Sequence, residues 1–195
     1  MSCPCKGLER QYGNGGCKCV HYREQFPDCE CENCSVSDHS PGPVHDREVL
    51  IRTVYSPHQI NQETGEVDPA HFRHDALKRG LSVNRKSHIT EADLETRIVR
   101  KIENDRAAGR HRENFYKVVT ARCSEIRALV TEDGRRLFCV YDTATEVDAS
   151  HADVCQALAL APGTRNRRAL EKKFGSRLFE LFSKTMALTT AYTTE

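Results

Sequence analysis

The sequence predicts an α+β fold: a small, mostly antiparallel sheet packed with two or three helices, preceded by a cysteine-rich, metal-stapled module with little regular structure. Three observations carry this. Short β-rich runs such as EVLIRTVY (48–55) and GLSVNR (80–85) are separated by turn-rich stretches. Two longer stretches place apolar residues at helical spacing. Seven of the ten cysteines fall within residues 1–34, with almost no apolar residues between them. The 195 residues include 29 Lys+Arg and 28 Asp+Glu, a formal net charge of +1. That balance excludes a globally basic nucleic-acid binder and an acidic solvating chain. Counting Gly but not Tyr, about 40 % of the residues are apolar, a little below the ~45–50 % usual for globular domains. A modest core is expected, with part of the chain unpacked. No apolar run approaches the ~18 residues that span a bilayer. The N-terminus lacks the apolar centre of a secretory leader. The expectation is a cytoplasmic protein with no membrane partner.

Residues 1–34 form the first unit. Their cysteines run C-x-C, eleven residues, C-x-C, nine residues, C-x-C-x-x-C: Cys3, Cys5, Cys17, Cys19, Cys29, Cys31 and Cys34. In a reducing compartment, clustered cysteines read as metal ligands rather than disulfides. Thiolates in pairs each grip one side of a tetrahedral ion, and the glycines of GNGG (13–16) let the chain turn between pairs. His21 continues the second pair as C-x-C-x-H, so eight ligands are at hand for one or two zinc ions. An iron–sulfur cluster is the rival, but C-x-C pairs do not match the common ferredoxin spacings. Phosphate binding by this unit is disfavoured. Residues 1–46 hold Lys6, Arg10, Lys18 and Arg23 against Glu9, Glu24, Asp28, Glu30, Glu32, Asp38 and Asp46. A structural or protein-docking role follows.

Residues 35–46, SVSDHSPGPVHD, read as a linker or a chain that drapes over the surface. An α+β domain is expected over 47–161. Its strands are 48–55 and 80–85, with Thr64-Gly65 as a tight turn between short extended pieces. Thr90 opens a helix with T-E-A-D in capping-box spacing; Leu94, Ile98 and Ile102 form its apolar stripe and Gly109 stops it. The β-rich stretches 114–131 and 135–144 are expected to pair as a hairpin across Asp133-Gly134. Asp148 or Ser150 is expected to cap a short helix through ADVCQALALA. Residues 162–195 complete the chain. They hold a basic amphipathic helix with Leu170, Phe174, Leu178, Leu181 and Phe182 on one face, and a frayed tail. Cys123, Cys139 and Cys155 read as small core residues.

Five pieces follow one another in fixed order: Ser56-Pro57-His58-Gln59-Ile60, Thr64-Gly65-Glu66, Ala70-His71-Phe72, Leu81-Ser82-Val83 and His151-Ala152-Asp153-Val154. Over about 48–157 this ordered set resembles a group of short uncharacterised bacterial and phage proteins. The resemblance implies one compact domain and no established activity, and it is silent on the cysteine module. An arginine on a strand, a serine on a strand and a β-hairpin also resemble the ADP-ribosyltransferase fold, which implies a nicotinamide dinucleotide across split sheets. The catalytic glutamate of that fold has no clear counterpart, with Glu125 and Glu146 the positions to consider.

The candidate catalytic residues are His58, Ser82, Arg85 and His151, with Arg52, Tyr55 and Asp142 nearby. A serine with two histidines could supply a nucleophile and its base. No G-x-S-x-G, P-loop, H-E-x-x-H or G-x-G-x-x-G accompanies them. Ser82 and His151 are expected at the same end of the sheet, with the His151 ring bonded to the backbone of the 56–69 loop. The favoured reading is a zinc-binding interaction or adaptor protein with a protein partner. The alternative is a small enzyme of nucleotide or ADP-ribosyl chemistry; convergence of the four side chains in one pocket separates the two. Nucleic acid is a partner only through the basic helix, where Arg165, Arg167, Arg168, Lys172, Lys173, Arg177 and Lys184 face Glu171 and Glu180.

Overall fold

The computed structural model describes residues 11, 19–20, 31–33, 35–161, 163–182, 185–186 and 188–193. Its strands are β1 (Val49–Tyr55), β2 (Leu81–Arg85), β3 (Tyr116–Arg122), β4 (Phe138–Asp142), β5 (His151–Gln156) and β6 (Thr185–Met186). Its helices are α1 (Pro69–Lys78), α2 (Glu91–Ala107), α3 (Cys123–Arg127), α4 (Arg167–Leu181) and α5 (Leu188–Thr193). The strands form one antiparallel sheet in the order β4-β5-β2-β1-β3-β6. The α+β expectation holds.

Side-chain alternation builds the two faces. On one, Leu50 and Val54 of β1, Leu81 and Val83 of β2, Val119 and Ala121 of β3 and Val154 of β5 meet Phe72 and Ala76 of α1 and Phe174 and Leu178 of α4. Phe72 also stacks edge-on against Phe179, with ring centroids 5.3 Å apart. On the other, Ile51, Tyr55 and Val118 meet Leu94, Ile98 and Ile102 of α2 and Leu188 and Ala191 of α5. This second layer takes its strand residues from β1 and β3. The same face of β2 and β5 therefore presents Ser82, Asn84, His151 and Asp153 rather than apolar side chains, and Ser82 stands opposite Asp153 and Asn84 opposite His151 in the ladder.

The expected starts and stops of α2 are in place. Thr90 Oγ1 accepts from Asp93 N at 3.1 Å, a cap worth ~1 kcal/mol. Gly109 follows the helix at φ 73°. Three expectations need correction. The 114–131 and 135–144 stretches do not form a hairpin of the sheet: β3 and β4 lie far apart in the strand order, with α3 between them in the chain. Asp133-Gly134 turns the chain only locally, at the bridge Val130–Arg136. The stretch expected to be a helix from Ala152 is the strand β5, and Asp148 accepts from Ser150 N at a turn before it. The tail beyond α4 adds β6 to the sheet and packs α5 against α2, with the Tyr192 hydroxyl donating to Ile89 O at 3.1 Å.

Residues 35–46 lie against the domain, with Val36 and Val44 buried. The Ser37 hydroxyl donates to Ala144 O and the Ser40 hydroxyl to Asp142. Ahead of them, the short 3-10 turn Cys31–Asn33 buries Glu32 against β4, where its carboxylate accepts from Val140 N at 3.0 Å and from Arg127 Nε at 2.9 Å and pairs with Arg136. Cys19 is buried and disulfide-bonded to Cys155 of β5. That bond corrects two expectations: Cys155 is not a free core thiol, and in this state Cys19 is not a thiolate ligand. Cys123 and Cys139 are free and buried, as expected. Of the remaining expected ligands, Cys31 is described only by its backbone. Cys3, Cys5, Cys17, His21, Cys29 and Cys34 lie outside the described residues.

Candidate functional site

The polar half of the second sheet face, together with α2, encloses a cleft of about 760 Å³. β2 and β5 supply its floor. Each alternates an apolar residue toward the α1–α4 layer with a polar one toward the cleft, so Ser82 and His151 arrive there by strand periodicity. On α2, Arg97 and Lys101 stand four residues apart beside the buried Leu94 and Ile98, and so overhang the cleft from the rim of the packed stripe. Arg52, Arg79 and Arg112 complete five cationic side chains, against the carboxylates of Asp75, Asp148 and Asp153.

The β1–β2 ladder pairs Leu50 with Arg85 and Ile51 with Asn84. Beyond that pair Arg52 occupies the opening: its Nη1 donates to Ser82 O at 2.8 Å and its Nη2 to Asp75 at 3.1 Å. Burial pulls the Arg52 pKa down, and Asp75 opposes the pull. Arg112 Nε donates to buried Asp105 at 2.7 Å, and its guanidinium lies over the Tyr55 ring, 5.6 Å from the centroid. Burial pushes the Tyr55 phenol up to about 12, so it stays protonated. At the other end Arg97 pairs with Asp148, which also accepts from Asn84 and the Ser150 hydroxyl. Burial pushes the Asp148 carboxyl up, but Ser150 and Arg97 outweigh it and hold it below the usual carboxylate range.

Among the described residues three buried side-chain polar atoms make no hydrogen bond of normal geometry: Arg52 Nε, Arg112 Nη1 and Thr53 Oγ1, the last beside the Tyr55 phenol. All three side chains line this one cleft. Buried donors without partners are rare and costly. Two of them are on guanidinium groups.

Two of the four sequence-predicted catalytic candidates meet here, Ser82 and His151. The other two do not. His58 is exposed on its turn, with its carbonyl against the His71 ring. Arg85 is 1 % exposed on the opposite face, where Nε and Nη2 grip Glu48 at 2.7 Å each and Nη1 donates to Gly42 O at 2.7 Å. It is a structural clamp on the 42–48 segment. The His151 ring is bonded to Thr143 rather than to the 56–69 loop. Arg79, Arg97, Lys101, Arg112, Thr143, Asp148 and Asp153 line the cleft but are not site candidates in the sequence. Arg97 and Lys101 carry a visible signal, the i,i+4 spacing beside the apolar stripe of α2; Arg112 sits in a loop and carries none.

A second hollow, of about 870 Å³, lies between His45, Arg47, Lys86, Ile89 and Tyr192; Arg85, which also lines it, is held by Glu48. The basic helix α4 spends part of its charge locally. Arg167 pairs with Glu171, Lys173 with Glu132, and Arg177 donates to Val130 O. Among the described residues no group of three or more His, Cys, Asp or Glu side chains is arranged to hold a metal ion, and no helix is long and apolar enough to cross a membrane. No protein-family model, curated protein or solved structure matches the chain.

Proposed function

We propose that the cleft binds a phosphate-bearing small molecule of nucleotide size. The observation that carries this is the pair of buried, unpartnered guanidinium donors, Arg52 Nε and Arg112 Nη1, in a cleft with five cationic and three acidic side chains. Arginine presents a planar fork of donors suited to phosphate oxygens. The volume lies within the ~300–1,000 Å³ of small-molecule sites. Asn84, Thr143 and Thr145, with Asp148 and Asp153, supply the donors and acceptors that sugar hydroxyls need.

Calorimetric titration of the full chain with pyrophosphate tests this. Arg52→Met and Arg79→Ala are each expected to weaken binding by roughly 10–100-fold, the worth of a charge-assisted hydrogen bond at ~1.5–3 kcal/mol. Arg79 is exposed, so its variant reads binding without disturbing the fold. A folded wild-type protein that gives no binding heat, or variants that bind like wild type, would refute the reading.

The cysteine-rich segment is proposed, on its spacing alone, to hold zinc and to dock a protein partner. Near the end of that segment, Glu32 is anchored on β4.

A further inference from the structure

We propose that the cleft hydrolyses phosphoesters, with His151 Nε2 as the general base; this rests on the phosphate-binding reading above. The argument begins with the proton on the His151 ring. Nδ1 lies 3.1 Å from Thr143 O and 2.8 Å from Thr143 Oγ1. A carbonyl oxygen only accepts, so Nδ1 must donate. The Thr143 hydroxyl has one proton and gives it to Asp153 Oδ2 at 2.7 Å, so toward His151 it too is an acceptor. Both neighbours therefore place the proton on Nδ1, and Nε2 carries the lone pair in a side chain that lines the cleft.

The same contacts prepare the ring to take a second proton. Asp153 Oδ2 lies 3.9 Å from Nδ1 and is linked to it through the Thr143 hydroxyl, so an imidazolium formed at Nε2 faces a carboxylate that is 2 % exposed. Asp153 is itself held by the Ser82 hydroxyl at 3.3 Å. A base oriented by one group and stabilised by a buried carboxylate is the arrangement general-base catalysis requires.

In the step, a water oxygen forms the new bond to phosphorus while its proton passes to Nε2. The ester P–O bond breaks, and the leaving oxygen takes the electron pair and then the proton from the imidazolium. The cationic side chains that line the cleft neutralise the charge on the non-bridging oxygens. Water is the only co-reactant. His151 is the catalytic residue, and Thr143 is a positioning residue that acts through it.

The experiment uses the full chain with p-nitrophenyl phosphate and bis(p-nitrophenyl) phosphate, followed by release of p-nitrophenolate, with pyrophosphate titration and melting curves on each variant. Wild type is expected to turn over at least one ester. His151→Gln is expected to lose roughly 10²–10⁴-fold in kcat while pyrophosphate affinity is unchanged. Thr143→Val is expected to lower kcat and leave KM alone, and Thr143→Ser to restore it. Should His151→Gln fail to fold, the Thr143 pair decides. Wild type that binds pyrophosphate but hydrolyses neither ester overturns this proposal and leaves the binding reading standing, as does His151→Gln turning over at the wild-type rate, or Thr143→Val matching wild type. Absence of pyrophosphate binding overturns the binding reading itself.

Discussion

Replacing Arg85 with methionine removes the centre of a buried ionic cluster. The guanidinium makes two 2.7 Å hydrogen bonds to Glu48, donates to Gly42 O and Pro43 O, and lies 3.8 Å from Asp142. The carboxylates left behind are 6 % and 0 % exposed. Removing one partner of a buried pair costs about 3–5 kcal/mol, because the other charge stays buried without compensation. The orphaned Glu48 has an escape: it can protonate. Neutralising an ordinary glutamate costs about 4 kcal/mol at pH 7 but only about 1 kcal/mol at pH 5. In wild type the sign is opposite. Burial pushes the Glu48 carboxyl up, but Arg85, with the His45 backbone and Ser87, holds it below its ordinary value. Its contribution to stability is therefore present above the unfolded pKa and lost as pH falls through the folded one. The stability gap between wild type and Arg85→Met should be widest near neutrality and narrow toward pH 5. Urea unfolding at the two pH values, read by circular dichroism, measures it. A gap under about 1 kcal/mol at pH 7, or one that does not change with pH, would refute the reasoning. Pyrophosphate binding should survive, because Arg85 lies on the sheet face away from the cleft.

Gly175→Ala sets helix propensity against packing. Alanine gains about 1 kcal/mol inside a helix, but a Cβ on Gly175 would stand 2.5 Å from Arg73 Cβ and 3.0 Å from Arg73 Cα on α1. The clash with the neighbouring helix should win, giving a net loss of roughly 1–2 kcal/mol in thermal unfolding; a stabilised variant would show that α1 and α4 yield. Burial pushes buried Asp105 up, but Arg112 and Arg110 outweigh it and hold its carboxyl down at about 2. Wild-type stability should therefore fall as pH drops from about 4 toward 2, and Asp105→Asn should flatten that slope in acid titration of the melting temperature. Peptide mapping without reductant should recover a linked Cys19–Cys155 peptide. Cys19→Ser should then lower stability by up to about 4–5 kcal/mol by the chain-entropy measure for so long a loop, whereas free thiols at both positions would dissolve the link.

The parts legible in the sequence are those in which neighbours along the chain decide the outcome. The Leu94/Ile98/Ile102 stripe, the Thr90 cap and the L-S-V alternation of β2 all act within one or two turns of chain, and all are in place. β5 reads as a helix because its alternation is short: His151-Ala152-Asp153-Val154 alternates, Cys155 breaks the pattern, and the Asp148 and Ser150 ahead of it resemble a helix cap. The expected hairpin failed for a related reason: Asp133-Gly134 does make a turn, but nothing local says that β4 pairs with β5 and β3 with β1. In the sequence Arg85 reads as a site residue because its partner Glu48 lies 37 positions away. The cleft shows the same split. Strand periodicity delivers Ser82 and His151 to it, whereas Arg52, Arg97 and Arg112 are brought together only by β1, α2 and the loop after α2.

An antiparallel sheet ends in two strands whose outward N–H and C=O groups invite pairing with another chain. Here neither end is left to the central domain. At one, Glu32 caps the outward Val140 N–H of β4 and brings Arg127 and Arg136 with it; at the other, β6 adds a two-residue rung to β3. The flanking segments thus cover part of both borders. A fragment trimmed to residues 47–181 would expose both borders and should gather into oligomers under conditions where the full chain does not.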